Sequence, residues 1–109
     1  MAYITFMTLT FIETPIFTAR IHKHDFDSYM ELQRQLLKNP EAGKVIQGTG
    51  GCRKVRMKYP GRGKSGGARV IYHWDAQAHE VFMLFVFDKN EQDTLTAQQK
   101  KQLKTLLEK

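Results

Sequence analysis

The sequence predicts a single α+β domain over residues 1–109, in which an antiparallel β-sheet carries helices from the N-terminal half and one C-terminal helix. Three observations predict this class. Segments rich in β-branched and aromatic residues indicate strands, whereas apolar residues spaced three and four apart indicate helices. In addition, a chain of 109 residues can bury one hydrophobic core without a metal or a disulfide.

The N-terminal part of the chain predicts a strand and a first helix. Residues 1–12 are apolar and uncharged, but they lack the basic segment and the cleavage site of a signal peptide and are too few to span a bilayer. We interpret them as a core strand that is clearest over Leu9–Glu13. Thr14 then offers an N-cap hydroxyl and Pro15 a favoured first helical residue, which predicts a helix to about Lys23.

A second helix is predicted by the spacing of a capping box. Ser28 and Glu31 stand three residues apart at its start, and Asn39 with Pro40 ends it. A glycine-rich connection over residues 40–51 follows. The side chains that helical spacing places on the buried face are Tyr29, Leu32, Leu36 and Leu37.

The next segment, Cys52–Lys58, predicts a strand in which charged and apolar residues alternate. Alternation directs Lys54, Arg56 and Lys58 to one side of the sheet. It directs Arg53, Val55 and Met57 to the other side. Residues 59–67 are rich in glycine and predict a loop.

The last part of the chain predicts two strands and a helix, giving the order β-α-α-β-β-β-α. Ala68–Trp74 and Glu80–Phe87 are β-branched and aromatic, and a turn over residues 75–79 joins them. The second of these strands is apolar on both faces, so we expect it in the centre of the sheet. Thr96 and Gln99 form a capping box for the final helix. Its buried side is predicted to carry Leu103, Leu106 and Leu107.

The charge of the chain is concentrated in one segment. Seventeen Lys and Arg against eleven Asp and Glu give a formal net charge of +6. Residues 51–74 contain no acidic residue, and for the cations of residues 53–69 a solvated edge strand is the simplest interpretation. The alternative is a surface for phosphates, with nearby aromatic rings to stack on unpaired bases. The cations of this basic segment are Arg53, Lys54, Arg56, Lys58, Arg62, Lys64 and Arg69.

Several other kinds of site are excluded by their context. The glycines at 61, 63 and 66 match a dinucleotide-binding pattern, but a strand rather than a helix is predicted after them. Cys52 is the only cysteine, which excludes an intrachain disulfide and a cysteine zinc site and favours a reducing cytoplasm. The histidines have no accompanying carboxylate pattern. His73 is the one we retain, because it shares a strand face with Arg69.

Three runs of sequence resemble the RelE/HigB toxins of bacterial type II toxin–antitoxin pairs. They are GTGGCRKVR at residues 48–56, GRGKSGGARVIY at 61–72 and DKNEQDTLTAQQKKQL at 88–103. The resemblance covers residues 9–107 and is closest to the HigB-like branch. It implies a small RelE-like fold and a cytoplasmic toxin that cuts mRNA in the A site of the 30S ribosomal subunit. It also implies a helix-turn-helix, HigA-like antitoxin as partner, no cofactor and no membrane association.

The resemblance also implies roles for individual residues. The family's basic pair corresponds to Lys54 and Arg56, and its arginine on the next strand corresponds to Arg69. RelE-type members place a further arginine and a tyrosine after the following strand, where this chain has Lys89 and Thr96 instead. Lys89 is our candidate for the missing arginine, and Tyr72 or His73 for the missing tyrosine, so the general acid stays open. The residues expected to bind RNA or the ribosome are Arg53, Lys58, Arg62, Lys64 and Tyr72.

The implied reaction fits these residue types without a metal. A ribose 2′-hydroxyl can attack the adjacent phosphate if one group takes its proton, another protonates the leaving oxygen and cations stabilise the phosphate. Nearby cations disfavour the protonated form of a lysine, so the crowding around Lys54 makes it the candidate for taking the proton. Two alternatives remain: a ParE-like toxin that inhibits DNA gyrase, which would not need these cations, and a non-catalytic RNA-binding relic.

Overall fold

The computed structural model describes residues 1–6, 8–58, 67–92 and 94–108. Within these residues the chain forms one six-stranded sheet and three α-helices. No helix in this part of the chain is long and apolar enough to cross a membrane. In chain order the elements are β1 (Ala2–Phe6), β2 (Leu9–Glu13), α1 (Pro15–Ile21), α2 (Phe26–Lys38), β3 (Lys44–Val45), β4 (Arg53–Met57), β5 (Ala68–Asp75), β6 (Glu80–Asp88) and α3 (Ala97–Leu107).

The sheet is mixed, with strand order β1-β2-β6-β5-β4-β3. All neighbouring pairs are antiparallel except β2 and β6, which run parallel. The expectation of a purely antiparallel sheet is therefore wrong at this pair. Residues 1–12 also form two strands of a hairpin rather than the single strand expected. The central position predicted for residues 80–87 is confirmed, because β6 lies between β2 and β5.

The sheet is covered on two faces, which we name by the helices that pack on them. On the helix-pair face, Phe17 of α1 and Leu36 of α2 pack on side chains such as Val70 and Val86. On the α3 face, Leu103 packs with a second cluster that includes Ile71 and Phe87. Strands β5 and β6 are buried on both faces, which holds their backbones in place.

The helix starts are set by hydroxyl and carboxylate caps. The hydroxyl of Thr14 accepts a hydrogen bond from the Phe17 amide at 3.2 Å, as the sequence predicted. The predicted capping box of α3 is also confirmed, since Thr96 and Gln99 exchange both bonds. Leu106 was expected on the buried side of α3, but it is 39% exposed.

Helix α2 begins three residues earlier than its predicted capping box requires. Its N-cap is Asp25, whose carboxylate accepts the Ser28 amide at 2.9 Å and the Ser28 hydroxyl at 3.0 Å. Ser28 therefore lies inside the first turn. Aspartate and serine cap about equally well, so the identities of these two residues do not decide where the helix starts.

The N-cap residue of α1 and a residue within α1 take the place of a strand beside the second half of β6. Strand β2 ends at Glu13, opposite Met83. Beyond it, the Thr14 hydroxyl donates to the Leu84 carbonyl at 2.9 Å and the Arg20 Nε donates to the Val86 carbonyl at 2.6 Å. These bonds satisfy backbone carbonyls that have lost their strand partner.

A buried polar cluster joins β2 to both N-terminal helices. The Glu13 carboxylate, 5% exposed, accepts the Tyr29 hydroxyl at 2.5 Å and the Thr18 hydroxyl at 2.8 Å. Burial of the phenol, together with its bond to Glu13, raises the pKa of Tyr29 well above the ordinary range. The cluster thus contains one carboxylate and a tyrosine that stays neutral.

Candidate functional site

Two pairs of cations lie directly opposite each other on neighbouring strands. Arg56 of β4 pairs with Arg69 of β5, and Lys44 of β3 pairs with Lys54 of β4. Directly opposed residues in a sheet point to the same side, and residues two apart on a strand do too. The four cations therefore share the α3 side of the sheet. Because like charges in such pairs are destabilising, this arrangement favours the binding of an anion.

The two arginines differ in how tightly the fold holds them. Arg69 is only 7% exposed and lies on a strand paired on both sides, whereas Arg56 is exposed. Gly67, just before β5, has φ +100° and a Cβ there would lie 2.4 Å from the Met57 carbonyl oxygen. Only glycine allows this approach. The start of β5 is thus fixed against the end of β4, and Arg69 with it.

The cations line a groove that passes around the open edge of β4. Strand β3 pairs only with Arg53 and Lys54, so in the described part of the chain no strand pairs with the outer edge of β4 beyond Lys54. The start of α2 forms the opposite wall. The charged side chains of the groove are Asp25, Asp27 and Glu31 on the α2 wall, and Lys44, Lys54, Arg56, Lys58 and Arg69 on the sheet wall.

Lys89 lies at the same end of the sheet as Arg69. Its amide donates to the Gly67 carbonyl at 3.2 Å. This bond continues the β5–β6 ladder by one residue past its last pair, Ala68 with Asp88. The turn that follows β6 is tied to α1, because the Arg20 guanidinium bonds to the Glu91 carboxylate and stacks on the Phe85 ring at 4.8 Å. The fold therefore brings Lys89 close to the arginine pair along the backbone.

Tyr72 is not available to RNA, which corrects the expectation from the sequence. Its side chain is fully buried on the helix-pair face. The Tyr72 hydroxyl donates to the Pro40 carbonyl at 2.7 Å and accepts the Gly43 amide at 2.9 Å. Burial raises the pKa of its phenol, so it is also a poor acid. Tyr72 fixes the connection between α2 and β3.

Arg53 and His73 are also placed away from the arginine pair. Arg53 points to the opposite side of β4, where its guanidinium bonds to the Gly43 carbonyl at 2.8 Å and to the Glu41 carboxylate at 3.4 Å. His73 lies four residues along β5 from Arg69, about 13 Å at strand spacing. Its ring packs near Phe82 and Gly51 instead. Neither residue can act on a phosphate held between Arg56 and Arg69.

The other predicted residues divide into two groups. Lys58 is exposed just beyond β4 and lines the groove, as its alternation suggested. Arg62 and Lys64 lie outside the described residues.

Lys44 was missed, because a two-residue strand inside a glycine-rich connection leaves no periodic signal. In the described part of the chain no three His, Cys, Asp or Glu side chains are grouped so as to hold a metal ion.

Comparison with known proteins gives a consistent result. A family model described as the RelE toxin of the RelE/RelB toxin–antitoxin system matches residues 19–109. A mutant of the E. coli toxin RelE in the free state is 18% identical over 85% of this chain and 90% of its own, with a TM-score of 0.57. A chain of the intact E. coli RelBE toxin–antitoxin complex is 21% identical over 70% of this chain and 90% of that chain, with a TM-score of 0.53. These similarities confirm the predicted α+β class and its RelE-like fold.

Proposed function

This chain belongs to the family of RelE toxins, and we propose that it is a ribosome-dependent endoribonuclease that cuts mRNA in the A site of the 30S subunit. It is the toxin of a toxin–antitoxin pair, and we assign it to the HigB-like branch of the family. The observation that supports the enzymatic activity most is the arginine pair of β4 and β5. Two arginines at directly opposed backbone positions, one of them largely buried, are suited to a single phosphate with developing charge.

The proposed reaction needs no metal. The 2′-hydroxyl of a ribose attacks the adjacent phosphorus, the bond to the 5′-oxygen of the next nucleotide breaks, and a 2′,3′-cyclic phosphate forms. Lys54 is our candidate for taking the hydroxyl proton, and Arg56 and Arg69 stabilise the pentavalent phosphate. The 5′-oxygen must gain a proton as it leaves. Of the three residues considered for the missing arginine and tyrosine, Lys89 is the one that lies near the arginine pair, and we assign it this role.

The mixed charge of the groove supports a direction of approach for the RNA. The carboxylates on the α2 wall repel a phosphate backbone, whereas the cations on the sheet wall attract it. RNA is therefore expected to approach from the α3 side, where Arg56 is exposed. In the cytoplasm a cognate HigA-like antitoxin with a helix-turn-helix domain is expected to prevent this, either by covering the cations with acidic residues or by its bulk.

The activity is tested with purified toxin and ribosomes programmed with an mRNA that has a defined codon in the A site. We expect a single cut in that codon, no cut in the same mRNA without ribosomes, and no cut by Arg69→Met. Cutting of free mRNA would overturn the ribosome dependence. If mRNA stays intact while DNA gyrase is inhibited, the ParE-like alternative is correct. Tight ribosome binding without any cut identifies the non-catalytic relic.

A further inference from the structure

The turn between β3 and β4 presents bare backbone at the surface. Gly48, Gly50 and Gly51 have φ angles of +81°, +76° and +106° and are exposed. Thr49 is fully buried, and its hydroxyl donates to the Ile46 carbonyl at 2.7 Å and accepts the Cys52 amide at 3.0 Å. Thr49 thus holds the turn from its buried side. Gly48, Gly50 and Gly51 have no side chains, so the backbone of the turn is exposed on its outer side.

Three nitrogen-bearing side chains surround this turn. A Cβ on Gly48 would lie 3.8 Å from Cδ of Lys100, and one on Gly50 would lie 3.6 Å from Cγ of Lys104. These lysines are one helical turn apart on α3, so their stems run side by side along the turn. Among the described residues, neither lysine makes a salt bridge with a carboxylate.

The third side chain is His73. Its Nε2 lies 3.7 Å from the position of a Cβ on Gly51. Its Nδ1 is buried and has no hydrogen-bond partner within the described ranges. The nitrogen that faces the bare backbone is Nε2, and an imidazole nitrogen can donate to or accept from a polar ligand at the turn.

We propose that the Gly48–Gly51 turn, with Lys100, Lys104 and His73, is a second phosphate-binding site for RNA, separate from the cutting site. Bare glycine backbone allows a phosphate to approach closely, and the lysines supply charge. Gly51 lies two residues before β4 and five residues before Arg56, which is about 16 Å if the chain is extended. A phosphate bound at the turn is therefore not the one that is cut. This inference rests on the proposed function, and its ligand is the backbone of ribosomal RNA or of the mRNA beside the cut.

The simpler explanation of the same glycines is structural. They relieve strain at positive φ, and they leave room for the lysine stems without any ligand. The two explanations differ in one measurable respect. A structural turn needs the stems of Lys100 and Lys104 but not their charge, whereas a phosphate site needs the charge.

The test compares two double variants with the same loss of charge. Lys100→Ala/Lys104→Ala removes the cations at the turn, and Lys38→Ala/Lys101→Ala removes exposed lysines at the end of α2 and on the outer side of α3. Binding to ribosomes is measured from low to high salt. We expect the first variant to lower the slope of log K against log salt by about 1.5, since each lost phosphate contact removes about 0.7–0.9. We expect the control to keep the parental slope.

The arms of the experiment separate the sources of the phosphate and the two hypotheses. Loss of slope on ribosomes without mRNA identifies ribosomal RNA, and loss only on programmed ribosomes identifies mRNA. The charge-retaining variant Lys100→Arg/Lys104→Arg should keep the parental slope; a slope as low as that of Lys100→Ala/Lys104→Ala would show that the loss does not come from the missing charge. Equal slopes for the two alanine variants would overturn the second site. A parental toxin that binds ribosomes with this salt dependence but never cuts would instead overturn the proposed function alone.

Discussion

The Cα atoms of Arg56 and Arg69 are directly opposed on β4 and β5, so two guanidinium groups share one side of the sheet. Opposed like charges cost a sheet about 0.2–1 kcal/mol. Arg56→Gln should therefore raise the free energy of unfolding by about that amount at low salt, and the gain should disappear in high salt. Urea unfolding at two salt concentrations measures it. Lys101→Gln, which changes an exposed lysine of α3 outside the paired strands, is the matched control, and an equal gain there would show that only net charge matters.

A second prediction separates cutting from binding. Arg69→Met keeps most of the buried volume but removes a rigid donor, so the cutting rate on saturated ribosomes should fall about 100-fold or more. Lys58→Ala removes an exposed cation, so it should weaken binding, most visibly at higher salt, while bound toxin still cuts. Arg62→Ala and Lys64→Ala are expected to behave like Lys58→Ala. Near-parental cutting by Arg69→Met would place the active site elsewhere.

The position of Tyr72 leads to a prediction about stability. Tyr72→Phe leaves the Pro40 carbonyl and the Gly43 amide without their partner, which should cost about 1–3 kcal/mol of unfolding free energy. Its cutting rate on saturated ribosomes should stay parental. Tyr3→Phe changes a tyrosine that is 65% exposed and should leave stability unchanged. A Tyr72→Phe protein of normal stability that binds RNA poorly would contradict the buried role.

The cluster around Glu13 predicts an alkaline pH dependence. In the folded chain the pKa of Tyr29 is raised by burial and by the bond to Glu13. The folded state therefore keeps a phenol proton that the unfolded chain loses above pH 10. The stabilisation by this residue is complete below pH 10 and declines by about 1.4 kcal/mol per pH unit above it.

This dependence is measured by urea unfolding between pH 9 and 11, with Tyr29→Phe as the comparison. Lysines and the other tyrosines titrate in both proteins, so the difference between the two slopes isolates Tyr29. We expect the parental slope to be steeper. Parallel slopes would mean that Tyr29 ionises as readily in the folded state as in the unfolded chain.

Local signals predicted the parts of the fold that depend on neighbouring residues. Thr96 and Gln99 are three residues apart, so the capping box of α3 needs no information from the rest of the chain. The cap of α2 was predicted at the wrong residue, Ser28 instead of Asp25. Both residue types cap helices well, so the local sequence does not distinguish them. The parallel pairing of β2 with β6 joins segments about seventy residues apart, and no local pattern encodes it.

The candidate site was predictable to the extent that strand alternation determines it. Alternation correctly separated Lys54 and Arg56 from Arg53. It could not predict that Tyr72 is buried, because that depends on how the connection after α2 folds over β5. Nor could it reveal Lys44, whose place opposite Lys54 depends on the register of a two-residue strand.

The two charged walls of the groove also affect the toxin before any contact is made. Carboxylates at the start of α2 and cations on β4 and β5 place opposite charges on the two walls of the groove. In the field of a polyanion as large as a ribosome, such a molecule experiences a torque as well as an attraction. It should turn its cationic side forward while it is still about a Debye length away, roughly 8 Å at physiological ionic strength. A larger share of collisions would then begin in a productive orientation.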